Sequence, residues 1–451
     1  MLYNKIVFKP TFGFKPNTLN KEILKLAIPN ILANLSIPML SVVDVALMGH
    51  LNSEAYILSI GFGVMIFNFI YWAFGFLRMG ITGMTAQEFG KGNVEEAYRL
   101  LFRGLLIAFS GALLLFLSKD MLLQLALYLI DANEAVSTQV TSYFNIRIFA
   151  APATLGLYAF IGWFLGKQKA TIAMVVTIAI NVLNVFISYY LVSVLNLETE
   201  GVAYGTLIAQ YLGFGLAIVL FFLFFRKQLT KAASQNILEL TAIKKFVAVN
   251  ADILIRTLCL IFALSFFKIM SAKEGDLIGA ANILLLEFVT IAAYGIDGFA
   301  FAAESISGKY FGANDKEKFK KAVAYCFYWG FGLGAIYGLA YWLFGQQILE
   351  VLTNQEEVVN LALDYLGWLV LFPIISVVPF VWDGIYIGLT SSKAMRNTML
   401  FATFLIFLPS YYLLVYLWGN NGLWLAMILF VLARGISQTI LAKKVVWGKF
   451  V

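Results

Sequence analysis

Long apolar runs recur along the whole chain and are separated by short polar segments. Each run is about 20 residues long, which is the length that an α-helix needs to cross the hydrocarbon core of a bilayer. The runs begin near Leu26, Ile57, Tyr98, Val140, Thr171, Val202, Phe246, Leu277, Ala322, Val359, Asn397 and Leu423. The pattern therefore predicts twelve membrane-spanning helices, numbered below in chain order, and no soluble domain.

The second half of the chain repeats landmarks of the first half at an offset of 222 residues. The matches are Phe89-Gly90 with Phe311-Gly312, Tyr143 with Tyr365, and Gly162-x-x-x-Gly166 with Gly384-x-x-x-Gly388. Such a repeat in an apolar chain is typical of secondary transporters, in which two homologous bundles face each other across a substrate path. We expect an all-α integral membrane protein with two pseudo-symmetric six-helix lobes. Residues 26–226 form the N-lobe and residues 246–451 the C-lobe, with a cytoplasmic arm at 1–25 and a cytoplasmic linker at 227–245.

Composition supports a membrane protein and offers little for catalysis. Hydrophobic residues make up 61% of the chain and charged residues 13%, about half the charge that a soluble protein carries. The chain has one histidine and no P-loop, Ser/His/Asp or HExxH pattern, so neither ATP-driven transport nor an enzyme is indicated. Cys259 and Cys326 fall inside predicted spans, where we expect them to be small core residues. No metal site and no cofactor are predicted.

Lysine and arginine predict the orientation. They concentrate in the N-terminal arm, in the even-numbered loops (for example Lys91 and Lys309) and in the C-terminal tail, whereas the odd-numbered loops hold almost none. The positive-inside rule then places both termini in the cytoplasm of a multi-pass protein of the plasma membrane, the inner membrane of a bacterium. The net charge of +7 follows from this bias, so no nucleic-acid partner is inferred. Membrane lipid and a small-molecule substrate are the expected partners of a monomer.

Ionisable residues inside the spans are the candidates for function. A charged side chain at mid-bilayer costs at least about 2.5 kcal/mol and persists where it is paired, hydrated or used. These residues are Asp44, Arg78, Arg147, Asp252, Arg256, Glu287, Asp297, Glu304, Asp383 and Arg434.

Asp44 is the charged residue of the first apolar run and follows Pro38, which bends a helix by removing a backbone hydrogen bond. An acid beyond a kink is well placed to couple ion binding to helix shape; the alternative is a structural acid near the outer headgroups. Asn184 and Ser188 share one face of the fifth span, and Thr206 lies near the start of the sixth. With Asp44 they would form an oxygen-rich pocket for a proton or a hard monovalent cation. The alternative is polar contact between helices, which is common in membranes.

The acids of the second half do not match those of the first half at the repeat offset, so the two lobes should share a fold but differ in function. Asp252 and Arg256, spaced i, i+4, are expected to pair with each other. The expected counter-charges for a cationic substrate are the remaining C-lobe acids, Asp297, Asp383, Glu287 and Glu304. The arginines Arg78, Arg147, Arg256 and Arg434, together with Asp252, are predicted to be structural charges.

Several motifs resemble the multidrug and toxic compound extrusion (MATE) family, and most closely its DinF-like branch. In chain order they are Val42-Val43-Asp44-Val45-Ala46-Leu47-Met48-Gly49, Phe76-Leu77-Arg78-Met79-Gly80, Ala86-Gln87-x-Phe89-Gly90, Asn250-x-Asp252-Ile253, Ala293-Tyr294-x-x-Asp297-Gly298 and Asp383-Gly384-x-x-x-Gly388. The resemblance implies two six-helix lobes around a central cavity that opens alternately to either side. It also implies export of organic cations and other amphiphilic toxic compounds in exchange for H⁺ or Na⁺.

The resemblance further implies an N-lobe cation site at Asp44, Asn184, Ser188 and Thr206. The family often has a second carboxylate where this chain has Ser188. A site with one carboxylate has less charge to offset cation dehydration, so H⁺ is favoured over Na⁺ as the coupling ion. A lipid-linked oligosaccharide flippase of the same superfamily stays open as the alternative. A membrane-embedded enzyme is disfavoured because nucleophile and metal clusters are missing.

Overall fold

A computed structural model of the chain describes residues 18–49, 54–130, 133–229 and 237–450. Twelve helical segments within these ranges are long and apolar enough to cross a membrane, which confirms the predicted spans. Cys259 and Cys326 are both buried in the helix bundle, as expected for core residues. The arm up to residue 17 and linker residues 230–236 lie outside the described ranges.

The six spans of the N-lobe include several local breaks. Their helices are Thr18–Gly49 (first span), Glu54–Ala73 and Phe76–Lys91 (second), Val94–Leu117 (third), Glu134–Arg147 and Ala151–Gly166 (fourth), Ala170–Tyr189 (fifth, extended by the π-helical Tyr190–Val194) and Glu198–Phe225 (sixth). A short helix, Lys119–Ile130, connects the third and fourth spans. The fourth span passes through a 3-10 turn at Ile148–Ala150 because Pro152 lacks the N–H that a continuous α-helix would use there.

The six spans of the C-lobe are longer on average and less often broken. Their helices are Leu240–Lys273 (seventh), Asp276–Gly312 (eighth), Lys316–Leu352 (ninth), Glu356–Gly388 (tenth), Ser392–Leu400 and Leu408–Trp418 (eleventh, joined by the π-helical Phe401–Phe407) and Asn420–Val445 (twelfth). The first and seventh helices begin at Thr18 and Leu240, ahead of their apolar runs, because backbone hydrogen bonding continues into the polar sequence outside the hydrocarbon layer.

The two lobes repeat the same helix packing at the predicted offset. In the N-lobe the fourth span crosses the second at Gly162, where an added Cβ would lie 2.5 Å from the Arg78 carbonyl oxygen. In the C-lobe the tenth span crosses the eighth at Gly384, where a Cβ would lie 2.1 Å from the Ala300 carbonyl oxygen. Both the glycines and the carbonyls they face are 222 residues apart. The internal repeat is therefore a repeat of structure as well as of sequence.

The lobes meet backbone to backbone at one end of the bundle, which we call the basic end because the second and eighth spans finish there near Lys91 and Lys309. A Cβ on Gly90 would lie 2.0 Å from the Lys309 carbonyl oxygen, and a Cβ on Gly312 would lie 2.0 Å from the Gln87 carbonyl oxygen. These two contacts are equivalent under the repeat. They indicate a local pseudo-two-fold axis between the second and eighth spans.

Two glutamines of the N-lobe add side-chain hydrogen bonds to this inter-lobe contact. Gln168 Nε2 donates to the carbonyl oxygen of Ser305 at 2.9 Å and to its hydroxyl oxygen at 2.7 Å. Gln87 Nε2 donates to the Gly388 carbonyl oxygen at 2.8 Å and contacts Thr390 Oγ1 at 3.3 Å. Nearby, Lys167 is buried, and its burial together with the charge of Lys169 lowers the pKa of Lys167. The basic end of the interface is thus closed by backbone contact and by hydrogen bonds.

Candidate coupling and substrate sites

Three polar side chains of the fifth and sixth spans form a buried hydrogen-bond network in the N-lobe. The Asn184 amide donates to Thr206 Oγ1 at 3.0 Å, and the Ser188 hydroxyl donates to Asn184 Oδ1 at 3.0 Å. The Thr206 hydroxyl donates onward to the Val202 carbonyl oxygen at 3.0 Å. The structure therefore brings together three of the four residues predicted for a cation site, and all three are buried.

Gly205 allows the sixth span to approach the fifth closely at this network. A Cβ on Gly205 would lie 2.1 Å from Ser188 Oγ, and a Cβ on Gly201 would lie 2.9 Å from a methyl group of Val192. The two glycines are one helical turn apart and face the same neighbouring span. The spacing Gly201-x-x-x-Gly205 therefore lets the sixth span pack closely against the fifth.

Asp44, the fourth predicted residue, lies on the first-span helix, but its side chain is outside the described residues. The first span contacts the fifth nearer the basic end, where the Asn181 amide donates to Ser36 Oγ at 2.7 Å. Both spans run in the same direction from that contact. Asp44 is about 12 Å of helix rise beyond Ser36, and Ser188 is about 10.5 Å beyond Asn181. The backbone therefore carries Asp44 to roughly the depth of the polar network.

Asp383 is the centre of a buried charge cluster inside the C-lobe. Its Oδ2 accepts hydrogen bonds from Arg256 of the seventh span and from Arg434 of the twelfth, the latter at 2.8 Å. Its Oδ1 accepts from the Gln438 amide at 2.6 Å. Two guanidinium groups thus share one carboxylate, and Asp383 links the seventh, tenth and twelfth spans. Its negative charge is neutralised by the two arginines.

The expected pair between Asp252 and Arg256 is wrong. Asp252 accepts hydrogen bonds from Arg396 at 2.6 Å and from the Ser392 hydroxyl at 2.9 Å, both at the start of the eleventh span. The i, i+4 spacing makes the two residues neighbours on the seventh span, but each finds a partner on another helix. Arg256 is engaged by Asp383 and Asp252 by Arg396, so tertiary packing overrides the local pairing.

Three acids lie along the eighth span and differ in burial; Asp297 and Glu304, seven residues apart, share one helix face. Glu287 is exposed, Asp297 is half-buried and Glu304 is buried. Among the described residues no side chain donates a hydrogen bond to Asp297, although the charges of Arg78, Arg256 and Arg434 act on it. Asp297 is therefore the C-lobe acid that combines partial exposure with an unpaired carboxylate.

Two N-lobe arginines approach aromatic rings, and one of them, Arg78, also approaches a carboxylate of the other lobe. Arg78 lies 3.8 Å from the Phe301 ring centroid, and its Nη1 lies 3.8 Å from Glu304 Oε2. Arg147 lies over the ring of Phe67 at 5.4 Å. Cation–π contact of this kind is favourable in a desolvated site. Arg78 thus links its own lobe to the eighth span of the other lobe.

The MatE family model matches residues 29–190 and again residues 253–413, with one match in each half of the chain. The chain belongs to the MatE family. The two matches correspond to the two lobes, so the expected resemblance and the two-lobe architecture are both confirmed.

Relatives of this MatE-family chain cover nearly its full length. The DNA damage-inducible protein F of Escherichia coli (strain K12) is 33% identical over 93% of this chain and 91% of its own length. A probable multidrug resistance protein NorM of Thermotoga maritima is 21% identical over 96% of this chain and 94% of its own. A solved structure described as the outward-facing conformation of a multidrug resistance MATE family transporter of the MOP superfamily superposes with a TM-score of 0.86 at 16% identity, covering 96% of both chains.

Sequence reasoning missed four polar residues that the MatE fold brings to these sites. Gln438 completes the Asp383 cluster, Arg396 binds Asp252, and Gln87 and Gln168 bind across the lobes. Gln438 follows Arg434 by four residues on the twelfth span, and that spacing was a usable signal. The other three lie at or beside helix ends, where polar residues are ordinarily solvated, so the sequence carried no signal for them.

Proposed function

We propose that this protein is an ion-coupled antiporter that exports amphiphilic or cationic compounds by alternating access between its two lobes, with H⁺ favoured over Na⁺. It works as a monomer in the plasma membrane with both termini in the cytoplasm. The observation that carries the proposal is the buried network of Asn184, Ser188 and Thr206 at the depth of Asp44. Such polar surroundings allow a carboxylate inside the membrane to bind and release the coupling ion.

The composition of this network supports H⁺ as the coupling ion. Asn184, Ser188 and Thr206 are neutral, and their donors are used within the network or by the Val202 carbonyl. Na⁺ would need several oxygens and enough negative charge to replace its hydration shell, whereas a proton needs a single base. Asp44 supplies that base, and this set of four contains no second carboxylate.

The inter-lobe contacts support alternating access. If the positive-inside rule holds, the basic end lies in the cytoplasm, and the contacts of Gln87 and Gln168 close the cytoplasmic side. A proton would then reach the N-lobe network from outside. Opening of the basic end would expose the space between the lobes to cytoplasmic substrate.

Asp297 is the C-lobe acid that we propose as the counter-charge for a cationic substrate. Asp297 is half-buried as a residue and accepts no hydrogen bond from a described side chain, whereas Asp383 is held by Arg256 and Arg434. A low-dielectric cavity makes a single unpaired carboxylate an effective attractor for an organic cation. Asp383 then has a structural role.

Export is favoured over the flippase alternative because the relatives include a probable multidrug resistance protein and rabbit multidrug and toxin extrusion proteins. The test is efflux of a fluorescent organic cation from cells that lack their own exporters. Expression should lower dye accumulation, and Asp44→Asn should abolish the effect. Asp120→Asn, which changes an exposed acid between the third and fourth spans, is the matched control and should export normally. If Asp44→Asn exports like the unmodified protein, or expression rescues a flippase-deficient strain without lowering dye accumulation, the proposal is wrong.

A further inference from the structure

An ion pair joins the two lobes inside the membrane, just beyond the contacts that close the basic end. Arg78 on the second span and Glu304 on the eighth approach to 3.8 Å, with their side chains 14% and 1% exposed. Ser305, the residue after Glu304, accepts the hydrogen bonds of Gln168 and donates one to the Leu165 carbonyl oxygen. The pair therefore lies directly behind the closed end, with one charge in each lobe.

The hydrogen bonding of this ion pair is incomplete. A separation of 3.8 Å is too long for a hydrogen bond, and no described group hydrogen-bonds to Arg78 Nη1 or Glu304 Oε1, although both atoms are buried. A buried ion pair repays the desolvation of its charges only when hydrogen bonds complete it. Asp383, with three hydrogen bonds, meets that condition, whereas Glu304 has Thr82 as its hydrogen-bonding neighbour and its Oε1 has no partner among the described residues. The inter-lobe pair is thus the more easily broken of the two.

The charged groups around Glu304 come from both lobes. Arg78 faces it from the second span, together with Thr82, and Asp297 lies two turns away on the same face of the eighth span. Farther toward the opposite end, Asp297 is influenced by Arg256, Arg434 and Asp383 of the seventh, twelfth and tenth spans. Toward the basic end, Lys309 is paired with Glu22 of the first span. Arg78 is therefore the cation whose charge is neutralised most directly by Glu304.

The internal repeat does not duplicate this pair. At the offset of 222, Glu304 matches Thr82 and Arg78 matches Ala300. The packing around these residues is repeated in both lobes, as the glycine contacts show. The charged pair, however, occurs at only one of the two positions that the repeat relates. The pair is thus a feature added to the shared scaffold, and packing alone does not require it.

We propose that Arg78 and Glu304 form a latch at the basic end: the end stays closed while the two charges balance each other, and proton uptake by Glu304, which leaves Arg78 unbalanced, releases it. Once Glu304 is neutral, Arg78 is a buried cation without a counter-charge, and separation of the lobes hydrates it. The half-buried Asp297, seven residues before Glu304, lies on the same helix face two turns farther from the basic end. The role of the latch in export rests on the proposed antiport, but the latch itself does not.

The test is a distance measurement across the basic end of the full-length protein in lipid nanodiscs. Spin labels are attached at Lys169→Cys and Ala313→Cys, two exposed positions on opposite lobes, after Cys259 and Cys326 are replaced by alanine. Glu304→Gln, which imitates the protonated acid, should raise the ratio of long to short distances roughly 5- to 150-fold, the usual range for a coupling between sites. Glu88→Gln, which removes an acid paired with Lys91 within one lobe, is the control and should leave the ratio unchanged.

Two further measurements keep the test decisive if Glu304→Gln folds poorly. Arg78→Gln/Glu304→Gln removes both charges, so its distances should return toward those of the unmodified protein. The unmodified protein should itself gain the long distance when the pH is lowered. If the distances of Glu304→Gln match the unmodified protein, or the unmodified protein shows no change with pH, the latch is refuted. No substrate or ion gradient is needed, so this outcome is independent of whether the protein exports anything.

Discussion

Replacing Asp383 with asparagine should destabilise the C-lobe strongly, because two buried arginines depend on one carboxylate. The asparagine keeps one oxygen, which can still accept from Gln438, but it presents an NH₂ group or a neutral oxygen to Arg256 and Arg434. Removing one partner of a buried ion pair costs about 3–5 kcal/mol. Because two guanidinium groups lose their partner here, we expect a loss toward the upper end of that range.

The measurement is the unfolding of purified protein in mild detergent, followed by heat or by titration with a denaturing detergent. Asp297→Asn is the matched control: it makes the same chemical change in the same lobe, but Asp297 accepts no hydrogen bond from a described side chain. Its stability should stay within about 1 kcal/mol of the unmodified protein. If Asp383→Asn unfolds under the same conditions as the unmodified protein, or both variants lose equal stability, the structural role of Asp383 is refuted.

Three other predictions concern transport and topology. Asp297→Asn should weaken export of cationic compounds more than of neutral ones, measured as efflux of a matched pair of dyes; equal losses would make Asp297 structural. Ser188→Asp should strengthen Na⁺ binding or Na⁺ dependence, measured by ²²Na⁺ binding to purified protein, and no gain would contradict the charge argument for this network. Reporter fusions after Asn93 should report the cytoplasm and fusions after Asn354 the outside; the reverse result would invert the proposed orientation.

The spans and the repeat could be predicted because hydropathy is read one residue at a time. Helices that cross lipid must satisfy their own backbone hydrogen bonds, so an apolar run of sufficient length predicts a helix without knowledge of its neighbours. The repeat could be predicted because glycines recur at a fixed offset along the chain. In the structure, Gly162 and Gly384 do occupy equivalent contacts. The bounds were less predictable, since Thr18 and Leu240 begin their helices outside the apolar runs.

The N-lobe network could be predicted only in part. Asn184 and Ser188 share a helix face by spacing alone. The link from Thr206 to Asn184 depends on how two helices pack; the polar residues indicated one pocket, and the resemblance to a known family implied the same set. The position of Asp44 beside this network remains a prediction, because its side chain lies outside the described residues.

The charge pairs of the C-lobe could not be predicted from spacing. Arg256 had an acid four residues away, yet its partner lies 127 residues later at Asp383. Partner choice is set by which helices pack together and by how completely each charge can be hydrogen-bonded, and neither is visible in a local pattern. For the same reason Arg78 and Glu304 were singled out as isolated charges, not as a pair.

The central claim, H⁺-coupled export through the N-lobe network, is tested most directly in proteoliposomes that hold purified protein and a fluorescent organic cation. Dye movement is recorded under an imposed pH gradient and, separately, under an imposed Na⁺ gradient at constant pH, with Asp44→Asn as the inactive reference. We expect the pH gradient to drive dye exchange and the Na⁺ gradient alone to leave it at the level of Asp44→Asn. Dye exchange driven by Na⁺ alone, or a pH-driven rate that Asp44→Asn does not reduce, would contradict the account.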